Sequence, residues 1–314
     1  MNTYMTWTFT ILAAIMLFLH GLASFSEEVT RLGGERLREV LRRITRPDWR
    51  GAIAGAVATA IVQSSSAVTS MAVGLAHNHT LSARSALSIM IGAHVGTTLT
   101  AWLIAFKVAG LGPVFLTLGG LWSLFGPRPW RPYGKPLFYF GIIFLALDLI
   151  SQALAPVAES PHIYEWQATL DSPALALIFG ALLTAVVQSS SVVSGLAVIA
   201  VADNILTPSV AIWMVAGANI GTTSTAMLAS APLDNSTRRL ALLNTASILL
   251  GVLIFATVLQ PVIGFILASE LTAGQKVAMV HTVFNLAAAI AALLLLPHLW
   301  PRINRWLNKE TVRN

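Results

Sequence analysis

The chain has no cysteine among its 314 residues, which excludes disulfides, thiolate metal sites and cysteine nucleophiles. Charge is scarce as well. Only 10% of residues are Asp, Glu, Lys or Arg, against about a quarter in an ordinary soluble domain, too little to solvate a globular surface. Apolar side chains fill the space: 56% of residues are hydrophobic and mean hydropathy is +0.75. Composition therefore excludes a soluble enzyme. The net charge of +6 sits in short basic segments between apolar runs, the pattern of cytoplasmic loops rather than of a nucleic-acid-binding face. The N-terminus lacks a basic leader and the run from Thr8 to Phe25 has no small-residue cleavage site, so it reads as a retained helix.

Crossing a bilayer takes roughly 20 apolar residues. Seven stretches approach that length: Thr6 to Ser26, Ser82 to Phe106, Val108 to Phe125, Pro136 to Ala155, Thr207 to Ala231, Arg239 to Leu259 and Lys276 to Pro297. Two more, Arg50 to Ala76 and Pro173 to Ala202, are apolar at both ends but carry Gln-Ser-Ser-Ser at the centre. A straight helix would strand those polar groups at mid-membrane, whereas a hairpin turning there exposes them to a cavity. Both are expected to be re-entrant. Between Glu27 and Arg50, arginines interleave with Leu32, Leu37, Val40, Leu41 and Ile44 at helical spacing, which predicts an amphipathic helix on the cytoplasmic face rather than a solvated loop. Gly33-Gly34 weakens its first turn. The basic segments place the N-terminus outside and the C-terminus in the cytoplasm.

A shift of 125 residues superposes Gln63-Ser64-Ser65-Ser66 on Gln188-Ser189-Ser190-Ser191, and Gly92-Ala93-His94-Val95-Gly96-Thr97-Thr98 on Gly217-Ala218-Asn219-Ile220-Gly221-Thr222-Thr223. From Gly55 to Leu103, 22 of the 49 pairs are identical, far beyond what apolar composition produces. The first copy enters its hairpin from the cytoplasm and the second from outside, so the copies are inverted. The expected fold is an all-α integral membrane protein, an inverted-repeat secondary transporter with about seven spans and two re-entrant helical hairpins. Residues 1–126 form the first repeat, 127–260 the second, and 261–314 an extra span with a short cytoplasmic tail.

Serine hydroxyls, a glutamine amide and the free N–H groups of a helix start suit a small oxyanion, and carbonyls at the end of the preceding helix suit a desolvated cation. The glycines and threonines of the second motif suit an unwound turn inside a span, or alternatively close helix packing. His77 and His79 flank Asn78 without an evident third metal ligand and read as interfacial histidines. His94 replaces the Asn219 of the other copy and serves either the site or packing. Asp148 is a lone carboxylate within a span, a candidate cation ligand.

The two tetrads, the two Gly-Ala-x-x-Gly-Thr-Thr segments and a late His281-Thr282-Val283-Phe284-Asn285 resemble the sodium-dependent phosphate cotransporter family, the type II Na/Pi symporters and their bacterial relatives, from Phe18 to about Pro297. The resemblance implies Na⁺-coupled symport of inorganic phosphate across the cell inner or plasma membrane, with no cofactor other than the coupling Na⁺. It assigns phosphate to Gln63, Ser64, Ser65, Ser66, Gln188, Ser189, Ser190 and Ser191, and Na⁺ to Ser66, Thr97, Thr98, Ser191, Asn219, Thr222 and Thr223. It also leaves room for a homodimer. His94 departs from the expected Asn. Many bacterial relatives append a cytoplasmic regulatory domain, so that regulation is expected here to be absent or supplied by a separate protein. Two other readings stand beside this one: transport of a different oxyanion or a carboxylate, including phosphate export, and an intramembrane hydrolase using a tetrad serine with His281 as base.

Overall fold

The computed structural model describes residues 3–43, 47–106, 110–158 and 172–307, with Glu165 and Gln167. Among these residues it is helical, with turns and one short 3₁₀ segment, Arg131–Tyr133, as the remainder. Helix α1 spans Thr3–Arg43, α2 Asp48–Val62, α3 Ser65–His77, α4 Ala83–Ala105, α5 Leu111–Phe125, α6 Gly134–Ala158 and α7 Pro173–Val187. Then come α8 Ser190–Ala202, α9 Pro208–Gly221, α10 Thr223–Ser230, α11 Asn235–Thr257, α12 Gln260–Leu267 and α13 Ala273–Leu307.

Five helical stretches are long and apolar enough to cross a membrane: Thr8–Arg43, Ala83–Ala105, Arg131–Pro156, Asn235–Thr257 and Ala273–Leu307. The other two expected spans differ. Helix α5 has 15 residues, about 22 Å at 1.5 Å per residue, short of a hydrocarbon core of about 30 Å; Lys107 and Val108 lie outside the described residues. The span expected over Thr207 to Ala231 is interrupted at Thr222, which ends α9 and caps α10.

The expected break between the first span and an amphipathic helix is absent, because α1 runs straight through Gly33-Gly34. Pairs three or four residues apart flank the weak point, Arg31 with Glu28 before it, and Arg38 with Glu35 at 2.8 Å and Arg43 with Glu39 at 2.8 Å after it. Leu41 anchors the far end and is fully buried. Residues 44–46 of the expected helix lie outside the described residues. Lys135, at the start of α6, approaches Glu28 to 3.6 Å and ties α1 to α6.

The two tetrads share one local geometry. Gln63 ends α2 in the left-handed region (φ 58°, ψ 26°) and Gln188 ends α7 in the same way (φ 58°, ψ 25°). Ser64 and Ser189 follow in extended geometry, and each caps the next helix by accepting from the N–H three residues on, Ala67 at 3.2 Å and Val192 at 3.4 Å. Packing repeats at the same offset. Gly92 on α4 lets the Ala52 carbonyl of α2 approach so closely that a Cβ there would lie 1.8 Å from its oxygen; at Gly217 on α9 the Leu177 carbonyl of α7 would lie at 1.9 Å. Gly55 and Gly180 meet the carbonyls of Ile89 and Met214, both at 2.0 Å. These glycines therefore permit helix contact. In α4 they do not unwind the span, which continues unbroken to Ala105, contrary to the unwound turn expected of Gly92 to Thr98.

Gly92→Ala and Gly217→Ala are expected to force α2 from α4 and α7 from α9, destabilising the fold by about 1–3 kcal/mol or more. Thermal unfolding in detergent checks this. Gly74→Ala, where nothing lies within 4 Å, is the control and should be neutral or gain up to about 1 kcal/mol of helix propensity.

Polar contacts define the two ends of the bundle. At one end Asp48 of α2 pairs with Arg84 of α4 at 2.6 Å, His77 Nδ1 of α3 lies 2.7 Å from Asp234 before α11, and Arg239 donates to the Trp306 carbonyl of α13 at 2.8 Å. At the other end Ser151 of α6 donates to Asp203, just after α8, at 2.5 Å. There Gly274 of α13 also faces Val198 of α8 and Ala105 of α4. Two large buried clusters fill the space between, one around Phe18, Ile150, Val198 and Phe255, the other around Leu41, Val68, Ile89 and Leu240.

Candidate functional site

Both tetrads line one cavity of about 840 Å³. All eight of their residues contribute, with Ala67 and Val192 beyond them, while α1 closes one wall with Leu19, Leu22, Ser26, Glu27, Thr30 and Arg31. The reason is local. A glutamine in left-handed geometry followed by an extended serine ends one helix and starts another within two residues, so the first turns of α3 and α8 meet the cavity with their free N–H groups. Such helix starts favour anions.

The serines divide by role. Ser64 and Ser189 spend their oxygens on capping. Ser65 and Ser190 are 4% exposed, and neither hydroxyl has a hydrogen-bond partner among the described residues. A buried hydroxyl unpartnered within the protein and bordering a cavity is a group available to a ligand.

The glutamines differ although their backbones match. Gln63 is buried, its Nε2 donating to the Ala60 carbonyl at 2.6 Å and its Oε1 accepting from Thr100 Oγ1 at 2.7 Å. Gln188 is exposed on the cavity wall. Ser66 Oγ lies 3.3 Å from Thr225 Oγ1, whereas Ser191, 5% exposed, has no counterpart to that contact among the described residues.

The second motif stands apart from this cavity. Thr97, Thr98 and Thr222 donate their hydroxyls to carbonyls of their own helices, Ala93 at 3.2 Å, Val95 at 2.8 Å and Ala218 at 2.9 Å, and neither they nor Thr223 belong to the cavity wall. Asn219 and His94 line a separate void of about 20 Å³, with Ser247 and Asn285, room for about one water. His94 Nε2 lies 3.2 Å from Asn244 Oδ1. His281 is 2% exposed with both ring nitrogens unpartnered, so no tetrad serine contacts it and the nucleophile–base contact of the hydrolase reading is missing. Asp148 on α6 also lies outside the cavity wall.

His77 faces Asp234 and not a metal cluster; no group of three metal-ligating side chains occurs among the described residues. Burial would raise the Asp234 carboxyl, but hydrogen bonds from Thr237 and His77 outweigh it and bring its pKa down to about 2. Its contribution to stability is thus present above the ordinary carboxylate range and is lost only as pH falls through about 2.

Sequence reasoning missed four participants. Thr100 and Thr225 were legible as an identical pair under the 125-residue shift. Glu27 and Arg31 were not, since they reach the cavity only because α1 continues past the point where a break was expected.

Comparison with known proteins places the chain among transporters. A family model described as Na+/Pi-cotransporter matches residues 17–152 and 162–268. The chain is 30% identical over 284 residues to the "Putative inorganic phosphate export protein YjbB" of Salmonella typhimurium, covering 90% of this chain and 52% of that protein. It is 31% identical over 297 residues to the protein of the same name from Escherichia coli K12, covering 93% and 53%. It is also 29% identical to the "Uncharacterized protein YqeW" of Bacillus subtilis, covering 91% of this chain and 92% of that one. The chain thus spans about half the length of the phosphate-export relatives. No solved structure matches it.

Proposed function

The chain belongs to the Na+/Pi-cotransporter family, and on that premise we propose that it carries inorganic phosphate across the cytoplasmic membrane coupled to Na⁺, binding both where the two tetrads meet. The observation that carries this is the single cavity walled by both tetrads and by the starts of α3 and α8. Phosphate accepts hydrogen bonds from Ser65, Ser190, Gln188 and the helix N–H groups. Ser66 and Ser191 are the Na⁺ ligands on the cavity wall. Thr97, Thr98, Asn219, Thr222 and Thr223, behind it, belong in this proposal to a second ion position.

The inverted-repeat reading has support from the end contacts. The first hairpin, α2 and α3, has both outer ends at the end marked by Asp48–Arg84 and His77–Asp234. The second, α7 and α8, finishes at the end marked by Ser151–Asp203. Helices α2 and α4 meet through residues 55 with 89 and 52 with 92, and α7 and α9 through 180 with 214 and 177 with 217. Each opening helix therefore runs alongside the span that follows its hairpin. Opposite entry of equivalent hairpins is the geometry of alternating access.

Direction follows the combined gradients. The names of the enteric relatives favour export. Radiolabelled phosphate should enter proteoliposomes faster under an inward Na⁺ gradient than without one, and unlabelled phosphate should compete better than sulfate or succinate. Uptake indifferent to Na⁺ removes the coupling, and stronger competition by sulfate or succinate reassigns the solute.

A further inference from the structure

Thr100 and Thr225 occupy equivalent positions of the two copies yet hold different partners. Thr100 donates to Gln63, within its own copy, at 2.7 Å. Thr225 donates to its own helix at the Thr222 carbonyl, 2.7 Å away, so across the 3.3 Å contact Ser66 of the other copy is the donor. The side chains of their equivalents, Gln188 and Ser191, have no hydrogen-bond partner among the described residues. One sequence unit is therefore present in two hydrogen-bonding states. The helices agree: α4 is continuous through its Gly-Thr-Thr, whereas α9 and α10 break at Thr222.

We propose that Thr100 and Thr225 are positioning residues that exchange tetrads during transport, Gln188 moving onto Thr225 as Ser191 moves onto Thr100, while Gln63 and Ser66 are released into the cavity. This rests on the transporter reading above. Applying the 125-residue shift to each observed partner yields this second arrangement directly, and it contains as many satisfied groups as the first. Two packings of near-equal energy are what a bistable element needs. Exchange also moves the freed glutamine from the second hairpin to the first, which opens the cavity beside the other copy.

The two threonines are not equivalent in their effect on that balance. Removing the Thr100 hydroxyl costs the observed state one bond, to Gln63, and the exchanged state two, to its own helix and to Ser191, as Thr225 now bonds to Thr222 and Ser66. Removing the Thr225 hydroxyl does the reverse. Thr100→Ala and Thr225→Ala should therefore shift the equilibrium in opposite directions, each by roughly five-fold for a bond of ordinary net strength.

The chain lacks cysteine, so the test uses Ala67→Cys at the cavity floor of the full-length protein in sealed vesicles, reading the ratio of thiol labelling from the two faces. Thr100→Ala should move that ratio one way and Thr225→Ala the other, with the double variant near the parent. Thr100→Ser and Thr225→Ser, which keep the hydroxyl, should match the parent and show that the alanine variants fold. Shifts in one common direction, or none in either variant, overturn the exchange. If the parent neither binds nor moves phosphate while the opposite shifts persist, the phosphate reading falls and the exchange stands.

Discussion

Ser65→Ala and Ser190→Ala are each expected to bring Na⁺-driven phosphate uptake down to the level of protein-free liposomes, with the protein still folded. Both serines are 4% exposed, and their hydroxyls border the cavity and have no hydrogen-bond partner among the described residues. A hydrogen bond to a charged ligand contributes about 1.5–3 kcal/mol, so losing one weakens phosphate binding by roughly 10- to 150-fold. Helix structure is untouched, because alanine suits the first turn and the caps are supplied by Ser64 and Ser189. Those capping serines provide the contrast: Ser64→Ala and Ser189→Ala should lower thermal stability by about 1 kcal/mol each. Uptake at matched expression, paired with thermal unfolding, separates the two classes. Parental uptake by both Ser65→Ala and Ser190→Ala would return the tetrads to a packing role.

This distinction within one tetrad was not legible in the sequence, where the three serines are interchangeable. What was legible was the interruption itself, because four polar residues at the centre of an apolar run have no partner in a straight helix. The duplication was legible for a different reason: the contacts at Gly55, Gly92 and Gly96 leave no space for a side chain, so their counterparts Gly180, Gly217 and Gly221 keep both residue type and register. The purpose of those glycines was ambiguous, since a residue without a side chain suits both an unwound turn and a close crossing. Only the carbonyls of Ala52 and Leu177 opposite them decide between the two. Local propensity misplaced the end of α1, where Gly33-Gly34 weakens the helix and yet the chain stays helical to the fully buried Leu41, a tertiary contact that no local reading supplies.

That misplacement bears on how the cavity handles charge. Phosphate arrives as an anion, and two helix starts supply about half a positive charge each. Arg31 is the only Lys or Arg on the cavity wall, but Glu27 stands on the same wall and Glu28 pairs with the guanidinium, so the α1 side offers no net positive charge. The remaining neutralisation falls to Na⁺. With the two ion positions proposed above, two Na⁺ are expected to bind with each phosphate, and by the reciprocity of linked binding a tenfold fall in Na⁺ should weaken phosphate binding by up to about 100-fold. Calorimetry of the purified protein, with Na⁺ replaced by an inert organic cation at constant ionic strength, measures this directly. Asp148→Asn should leave the Na⁺ dependence at the parental slope, because Asp148 lines neither the tetrad cavity nor the void beside Asn219. Phosphate affinity that is equal with and without Na⁺ would overturn the ion-neutralised site. In that event Arg31 would have to leave Glu28 for the ligand, and Arg31→Gln, otherwise expected to preserve Na⁺-linked binding, would abolish binding instead.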